Sequence, residues 1–333
     1  MHDSKVRGSK DGRRSHRKLM VAITAGVVLS LTGAAVSPPQ AAGHSGADEP
    51  SVGTQAAPAS AEASASGIKA ARTRQWPPTP QSVGVPAGTA LSSYKGPCTI
   101  TRKRTIDKKI VNCSPLNIEA IGVVIQNSKI NGSVSVGTQD DYDPEGDDPI
   151  RVTILDSEID TAAGTNLDFR PISSSHYIVK RSYLHGTYSG AECHNACTIK
   201  KSYIHGFGDH ASGARILRNG TFKHNTIWCE PNPNSDEDGD GVTDEDGGCS
   251  GNLTMYEEFG TPYNNLVKHN YFPAGWFYSS LKFNGSDDGT IRIVNNRFGL
   301  PKRGGRHVAD DWDPKATNVW SGNTFTNGRA AKP

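Results

Sequence analysis

The most regular feature of the chain is a short alternation of apolar and polar residues that recurs eight times between Gly122 and Gly328. In order, the copies read VVIQNSKING, VTILDSEID, YIVKRSYLHG, CTIKKSYIHG, TFKHNTIW, LVKHNYFPAG, IRIVNNRFG and NVWSGNTFTNG. Their second apolar positions are Ile130, Ile159, Leu184, Ile204, Ile227, Phe272, Phe298 and Phe325, separated by 20 to 29 residues except for one interval of 45. A period of roughly 20 to 30 residues is typical of stacked repeats, in which each unit buries its apolar face against its neighbours. The chain is therefore predicted to be a solenoid.

The residue types within each copy predict β-strands rather than helices. Helical repeats need about 10 or more residues with apolar positions three and four apart, whereas these copies hold short β-branched and aromatic runs broken by Gly, Asn and Ser. A turn after the copies leads into a second alternating run: SVSV at 133–136, NLDF at 166–169, AEC at 191–193, ARI at 214–216, NLTMY at 252–256 and LKFN at 281–284. Two or three short strands per repeat predict an all-β fold. We expect a right-handed parallel β-helix of about eight or more rungs, where a rung is one turn of the solenoid.

Composition divides the chain into three parts. Residues 1–42 have the pattern of a secretory signal peptide, with four Lys or Arg residues at 13–18 before an apolar run at 19–31. Residues 43–75 are rich in Ala, Ser, Gly and Pro and are predicted to be a disordered linker, because they lack the large apolar side chains of a core. The β-helix domain is expected at 76–330, with an insertion at 230–249 that explains the long interval. We expect a secreted, extracellular monomer with no membrane contact after signal removal.

The charge balance argues against a nucleic-acid partner. The whole chain carries 36 Lys or Arg and 34 Asp or Glu, a formal net charge of +2. The predicted signal holds seven of the basic residues and two of the acidic ones, so 29 and 32 remain and the balance becomes −3. Domains that bind nucleic acid usually carry a basic excess. Attraction to a polyanion is therefore expected only from local groups.

Six Cys residues in an exported chain predict three disulfides, although the sequence alone allows 15 connectivities. Proximity along the chain favours Cys98 with Cys113, Cys193 with Cys197 and Cys229 with Cys249. The first pair would staple an N-terminal cap at 75–98, which an open-ended β-helix needs over its first unpaired rung. The third pair would close the insertion. Zinc binding is the alternative, but no pair has the two-residue spacing of a zinc knuckle.

The insertion contains a run of alternating carboxylates, DEDGDGVTDED at 236–246. Its spacing resembles the calcium loops of EF-hand, dockerin and thrombospondin type-3 repeats, in which hard oxygen ligands surround one cation. The predicted ligand positions are Asp236, Asp238, Asp240, Val242, Asp244 and Asp246. The twelfth position, usually a bidentate Glu, is Gly247, which departs from the EF-hand pattern. We expect one calcium ion with a structural role, and a solvated acidic loop is the alternative.

Alternation within the second run predicts two columns of side chains on the outer surface. Because alternate residues of a strand point to opposite faces, the neighbours of the apolar core positions should face solvent. The first column is Asp168, Glu192, Arg215, Thr254 and Lys282, and the second is Arg170, His194, Tyr256 and Asn284. Successive members would be about 4.8 Å apart. Such a groove suits a linear polymer, and the alternative is a polar surface whose unlike charges pair between rungs.

Two further sets of polar residues recur from rung to rung. His185 and His205 follow the same SY[LI] phrase in consecutive copies, which predicts that their rings stack on each other at one turn, in a surface ladder. A functional histidine pair is the alternative. Basic residues recur at the polar positions of four copies: Lys180, Arg181, Lys200, Lys201, Lys223 and Lys268. We interpret these basic residues as a solvated face.

The phrases HNTI and NNLVKHNYF and the cap sequence GVPAGTALSSYKGPCTI resemble the secreted right-handed β-helix proteins of actinobacteria, within the pectin lyase-like superfamily. The resemblance covers residues 76–330. It is specific for the fold rather than for one activity, since that superfamily includes lyases, hydrolases, epimerases and proteins without known catalysis. For a polysaccharide lyase it implies β-elimination on a uronic acid. A Lys or Arg removes the proton next to the carboxylate, while calcium or cationic side chains neutralise that carboxylate.

No family catalytic motif carries over, so the roles are assigned from the two columns. The predicted catalytic residues are Lys282, Arg215, Glu192, Asp168, His194 and Tyr256. Lys282 is the base and Arg215 the neutralising group or acid. Glu192 and Asp168 hold a cation, and His194 or Tyr256 assists at the leaving oxygen. The favoured function is a lyase acting on an acidic polysaccharide. The alternatives are a non-catalytic glycan-binding or cell-wall module and a glycoside hydrolase that uses Asp168 and Glu192, about 5 Å apart on neighbouring rungs.

Overall fold

The computed structural model describes residues 75–137, 149–164, 170–186, 188–208, 211–230, 232, 234, 249–255, 260–273, 290–300, 308–309, 312–314 and 317–333. These residues form 26 β-strands and no α-helix. Every ladder between two of the strands is parallel. The fold is therefore the parallel β-helix that the repeat predicts. Within the same residues, no helix long and apolar enough to cross a membrane is found.

Sheet 1 stacks ten strands in the order of the chain. They are β1 (Ser92–Ser93), β4 (Lys109–Val111), β7 (Lys129–Asn131), β10 (Glu158–Asp160), β13 (Tyr183–His185), β16 (Tyr203–Phe207), β19 (Thr226–Glu230), β22 (Tyr271–Phe272), β24 (Arg297–Phe298) and β26 (Thr324–Phe325). The eight anchor positions of the repeat all lie in this sheet and are buried, with at most 4% of their surface exposed. Ile130 pairs with Ile159 and Phe298 with Phe325, so the anchors stack in register as predicted.

Sheet 2 stacks nine strands on a second side of the solenoid. They are β3 (Thr105–Asp107), β6 (Val123–Gln126), β9 (Val152–Leu155), β12 (Tyr177–Lys180), β15 (Thr198–Lys200), β18 (Thr221–Lys223), β21 (Asn265–Lys268), β23 (Ile291–Val294) and β25 (Val319–Ser321). Most of these strands alternate between buried and partly exposed residues. In β6, Val123 and Ile125 are buried, whereas Val124 and Gln126 are not. One side of sheet 2 thus packs on the core and the other side faces outward.

The third side of the solenoid is divided between two shorter sheets. Sheet 3 contains β2 (Thr99–Ile100), β5 (Leu116–Ile118), β8 (Val134–Val136) and β11 (Ile172–Ser174), and sheet 4 contains β14 (Glu192–Asn195), β17 (Ala211–Arg218) and β20 (Cys249–Thr254). A parallel bridge between Ser175 and Asn195 connects the two sheets. A rung therefore passes from sheet 2 to sheet 1 and then to sheet 3 or sheet 4.

A ladder of Ser and Asn side chains holds the turn between sheets 2 and 1. Its members are Ser128, Ser157, Ser182, Ser202, Asn225, Asn270, Asn296 and Asn323, all buried. Each accepts a hydrogen bond from a main-chain N–H of the preceding rung, as in Ser128 N to Ser157 Oγ (3.1 Å) and Asn225 N to Asn270 Oδ1 (2.9 Å). The recurring Ser and Asn of the repeat therefore satisfy buried main-chain groups and keep adjacent rungs in register.

All three disulfides have the pairing that sequence proximity favours. Cys98 is bonded to Cys113, Cys193 to Cys197 and Cys229 to Cys249. The first staples the N-terminal end, where β1 and β2 are the outermost strands of sheets 1 and 3. The third joins the two ends of the insertion.

The segment before β1 also contacts later rungs. Thr226 Oγ1 donates a hydrogen bond to the main-chain oxygen of Pro78 (2.6 Å), and Gly84 N donates to the main-chain oxygen of Arg181 (2.9 Å). Gly84 has φ +83°, and a Cβ added to it would lie 3.3 Å from Cβ of Tyr183. This segment therefore lies along the side of sheet 1, in addition to the stapled cap that follows it.

Candidate functional site

The predicted outer columns are partly within the described residues. Glu192, Arg215 and Thr254 of the first column and Arg170 and His194 of the second are described. Outside the described residues lie Asp168, Tyr256, Lys282, Asn284 and the predicted calcium ligands Asp236, Asp238, Asp240, Val242, Asp244 and Asp246. The roles assigned to those residues stay predictions.

The described part of the first column has the predicted register. Glu192 pairs with Arg215 and Arg215 with Thr254, so the three residues lie on successive strands of sheet 4. The expectation that they face solvent is wrong, because Glu192 is 5% exposed, Arg215 8% and Thr254 0%. Seven of the eight residues of β17 are buried, including neighbours on opposite faces. Alternation along one strand identifies its core side but does not reveal that the outer side is covered as well.

Glu192 is surrounded by three basic side chains. Arg170 Nη1 lies 3.3 Å and His194 Nε2 3.4 Å from Glu192 Oε2, and Arg215 Nη1 lies 3.6 Å from Glu192 Oε1. The Tyr177 hydroxyl, on the neighbouring sheet 2, donates a hydrogen bond to the main-chain oxygen of Glu192 (2.8 Å). Residues Arg170, Glu192, His194 and Arg215 are called the Glu192 cluster below.

The Glu192 cluster carries a surplus of positive charge. Burial raises the pKa of Glu192, but the hydrogen bond to His194 and the charges of Arg170, His194 and Arg215 together lower it, so the carboxyl is ionised at neutral pH. Arginine stays protonated in proteins, so both guanidinium groups of the cluster are charged where they contact the Glu192 carboxylate. The Arg170 guanidinium also lies 5.6 Å from the centre of the Tyr188 ring, within the range of a cation–π contact. The planar forks of the two arginines match the geometry of a carboxylate ligand.

A second cluster lies on the outer face of sheet 1 and was missed from the sequence. Glu158, Asp160 and His185 each offer a ligand atom, and these atoms lie within 4.8 Å of one another. One imidazole and two carboxylates are a donor set that suits zinc and similar ions. Lys129 Nζ, however, lies 3.0 Å from Glu158 Oε1 and 3.3 Å from Asp160 Oδ2. The ammonium group already supplies the positive charge between the carboxylates, so we describe these four residues as the Glu158 ion-pair cluster.

The Glu158 ion-pair cluster has a detectable signal in the sequence. The anchors Ile159 and Leu184 are 25 residues apart and stack in register, which places Glu158 beside Tyr183 and Asp160 beside His185. The hydrogen bond to His185 lowers the pKa of Glu158 more than burial raises it. Reading the residues on either side of each anchor from rung to rung would have found the cluster.

The histidines of the SY[LI] phrase lie within strands of sheet 1 rather than at a turn. His185 is the last residue of β13, and His205 lies in the middle of the neighbouring strand β16. The His185 ring stacks on Tyr183, with the ring centres 3.9 Å apart, and the His205 ring lies 5.1 Å from the centre of Trp228. His205 Nε2 also lies 2.8 Å from Glu230 Oε2. The two histidines are thus on adjacent rungs, but each ring packs on a different aromatic partner.

Comparisons with known proteins do not assign a family. No protein-family model matches the chain, and no match was found among curated proteins or among solved structures. The strand arrangement supports the parallel β-helix fold. Membership of the pectin lyase-like superfamily and an actinobacterial origin stay predictions from the sequence phrases.

Proposed function

We propose that this protein is a secreted, extracellular polysaccharide lyase of the pectin lyase-like kind, which binds an acidic polysaccharide beside sheet 4, where the side chains of Arg170 and His194 are partly exposed, and cleaves it by β-elimination. The observation that carries the proposal is the Glu192 cluster, with two guanidinium groups and an imidazole around one buried carboxylate. Glu192 and His194 lie on β14 and Arg215 on the neighbouring β17, so a linear polymer parallel to the solenoid axis would meet successive rungs. The three disulfides indicate an oxidising environment, which agrees with export.

The chemistry depends on neutralising the substrate carboxylate. Removing the proton next to a uronate carboxylate places a second negative charge on the same group, so the proton is weakly acidic. A guanidinium that contacts the carboxylate stabilises the enolate-like intermediate, because its charge is already in place when the new charge develops. In this proposal Arg215 supplies that contact and Lys282 removes the proton. The bond to the leaving oxygen then breaks, a carbon–carbon double bond forms, and His194 protonates the oxygen.

Glu192 has a positioning role in this proposal. The sequence predicted that Glu192 and Asp168 hold a cation, and the described partners of Glu192 are the cationic side chains of Arg170 and Arg215. Its two oxygens contact different arginines, which fixes the orientation of both guanidinium groups. The role of Asp168 and that of Tyr256 at the leaving oxygen are kept as predicted.

We also propose that the insertion between Cys229 and Cys249 binds one calcium ion with a structural role. The disulfide brings the ends of the insertion together, and the aspartates between them repel one another until a divalent ion neutralises them. Calcium is expected to raise the melting temperature of the full chain, and a chelator to lower it. Asp240→Asn should remove the response, whereas a response that persists in this variant would place the ion elsewhere.

The lyase activity is tested by incubating the purified full chain with pectate, alginate, glucuronan and glycosaminoglycans, with calcium and with chelator. Unsaturated products are followed by their ultraviolet absorbance. We expect absorbance with at least one polymer, its loss in Lys282→Ala, and a reduction of roughly a hundredfold in Arg215→Gln, because one preorganised charge is removed. Lys95→Ala, an exposed residue in the stapled cap, is the matched control. New reducing ends without absorbance would overturn elimination in favour of hydrolysis.

Non-catalytic glycan binding is the second candidate, and one observation favours it. The side chains of Arg170 and Arg215 are only 22% and 10% exposed, and both already contact Glu192. A polymer would therefore have to displace part of this arrangement to be cleaved. Saturable binding with no unsaturated product and no new reducing end, on every polymer, would establish the binding module instead of the lyase.

A further inference from the structure

A row of basic residues follows the edge of sheet 2 next to the Ser and Asn ladder. It consists of the last residue of each of β12, β15, β18 and β21 and the turn residue after it: Lys180, Arg181, Lys200, Lys201, Lys223, His224, Lys268 and His269. Arg181 and Lys201 are exposed, and the other six are half-buried. These eight residues are called the basic ridge.

The residues of the basic ridge are aligned from rung to rung. Lys180 pairs with Lys200, Lys200 with Lys223, and Lys223 with Lys268. Neighbouring strands are about 4.8 Å apart, so the four lysines span about 14 Å in a line parallel to the solenoid axis. The four turn residues form a second line beside it.

Carboxylates do not balance the charge of the basic ridge within the described part of the chain. Arg181 is paired there, since its Nε and Nη2 lie 2.8 Å and 2.6 Å from the two carboxylate oxygens of Asp156. No described carboxylate forms an ion pair with the lysines of the ridge. Like charges directly opposite each other on adjacent strands are destabilising. Stability therefore does not explain why the chain repeats a cation on four successive rungs.

The two histidines report the positive potential of the ridge. Burial, followed by the charges of His269, Lys201, Lys223 and Lys268, lowers the pKa of His224. Burial and the charges of Lys268 and Lys223 lower the pKa of His269 in the same direction. The two rings are stacked with their centres 4.9 Å apart. An anion on this surface would reverse the electrostatic part of these shifts.

We propose that the basic ridge is a binding surface for a linear acidic polysaccharide, which lies along the solenoid axis with its anionic groups against successive rungs. A straight line of cations with one member per rung matches a polymer with regularly repeated anionic groups. The basic ridge and the Glu192 cluster lie on different sides of the solenoid. The inference takes its polymer class from the proposed function and places that polymer on a second surface, and it does not depend on cleavage.

Two observations favour a polysaccharide over a nucleic acid. Single-stranded nucleic acids bind surfaces on which bases stack against aromatic rings. The outward residues of sheet 2 beside the ridge are aliphatic or hydroxyl side chains: Ile178, Thr198, Thr221 and Leu266. The exposed Trp76, whose Nε1 lies 3.4 Å from the main-chain oxygen of His269, is at one end of the ridge and does not recur from rung to rung. The chain as a whole has 36 basic and 34 acidic residues, without the excess expected of a nucleic-acid-binding protein.

The test measures the affinity of the full chain for sodium polygalacturonate and sodium alginate of defined length by titration calorimetry at low salt. Lys200→Gln combined with Lys223→Gln is expected to weaken binding about tenfold, since two close contacts are lost. Lys95→Gln combined with Lys103→Gln removes the same charge from exposed positions away from the ridge and should leave affinity within about twofold. Equal melting temperatures of the two double variants would show that both are folded.

Three outcomes would overturn the ridge proposal. They are no binding to either polymer, equal losses in the two double variants, and tighter binding of single-stranded DNA of the same length with the same dependence on Lys200 and Lys223. Loss of binding in Arg215→Gln, without an effect of the ridge variants, would place the polymer on sheet 4 alone. Weaker binding in the ridge variants, without unsaturated products from any polymer, would support the ridge and reject the lyase.

Discussion

The Glu192 cluster and the basic ridge are produced by the same in-register stacking of rungs but arrange their charges in opposite ways. In the Glu192 cluster, a carboxylate on β14 lies beside an arginine on β17, so neighbouring rungs carry unlike charges. In the basic ridge, lysine lies beside lysine from β12 to β21. The first arrangement is buried, with Glu192 5% exposed, whereas every ridge residue keeps contact with solvent.

The difference shows what burial requires of a repeated sequence. A buried charge without a partner is strongly destabilising, so a repeat that enters sheet 4 must alternate its charges. Solvent screens like charges on an exposed edge, so a repeat can place the same cation on every rung there. The alternating arrangement satisfies the requirement that buried charges be paired, whether or not a substrate also uses it. The uniform arrangement is the one that the proposed acidic polymer would contact.

The largest expected effect on stability comes from removing the buried negative charge of the Glu192 cluster. Glu192→Gln keeps the shape of the side chain but removes the buried negative charge that contacts the guanidinium groups of Arg170 and Arg215. We expect a loss of about 3 to 5 kcal/mol in the free energy of unfolding, measured with denaturant. The matched control is Glu230→Gln, whose carboxylate pairs with His205 but is 43% exposed, and it should cost less than about 1 kcal/mol. Equal costs for both variants would contradict the distinction between buried and exposed charge.

The Glu158 ion-pair cluster is intermediate, because its charges alternate between rungs but are only partly buried. Glu158→Gln should cost about 1 kcal/mol at pH 7. The pKa of Glu158 is lowered in the folded state, so its contribution is complete above the ordinary carboxyl pKa of 4.5 and is lost as pH falls through the lowered value. The free energies of unfolding of the variant and the parent protein should therefore converge in acid. A difference that stays constant down to pH 2 would show that the variant acts through packing.

Polymer binding at the ridge should depend on pH through its two histidines. The pKa values of His224 and His269 are lowered by their cationic neighbours, and a bound polyanion raises them again. Binding is then accompanied by proton uptake, so affinity should increase roughly three- to tenfold as pH falls from the ordinary imidazole pKa of 6.5 toward the lowered pKa values of the free protein. Calorimetry in buffers of different ionisation enthalpy measures the uptake. His224→Gln combined with His269→Gln should abolish it, and proton uptake that survives in this variant would assign it to other groups.

The smallest expected effect on stability comes from converting the ridge to the alternating pattern. Lys200→Glu places a carboxylate between Lys180 and Lys223. We expect a gain of no more than about 0.5 kcal/mol in the free energy of unfolding, together with the loss of polymer binding. Lys95→Glu is the control for the change in net charge. A loss of stability in Lys200→Glu would mean that the lysines do not repel one another in the folded protein.

The fold was predictable because the apolar anchors that form its core recur at a regular spacing in the sequence. Ile130, Ile159 and Phe325 belong to one buried ladder, and their spacing is visible in the sequence. The disulfides followed from proximity for a similar reason, since Cys193 and Cys197 are separated by only 4 positions. Local spacing determines these features, so no knowledge of the remaining chain was needed.

The candidate sites were only partly predictable, because they depend on what lies across a rung or over a sheet. The alignment of Glu192 with Arg215 followed from alternation, but the burial of both depends on what covers β17. The Glu158 ion-pair cluster combines residues 25 positions apart and needs the register of two rungs. The lysines of the ridge were recognised as recurrent and interpreted as a solvated face, and the structure places them at exposed or half-buried positions. Their alignment from rung to rung, without described carboxylate partners, needed the register of the strands.

The measurement that tests the central claim most directly is electrophoresis of the native full chain through gels that contain either an acidic or a neutral polysaccharide. If the protein binds acidic polysaccharides, sodium polygalacturonate or alginate should retard its migration at low salt, and added salt should weaken the retardation. A neutral polysaccharide at the same concentration should have no effect. Migration that is unchanged by every acidic polymer would contradict both the lyase and the ridge.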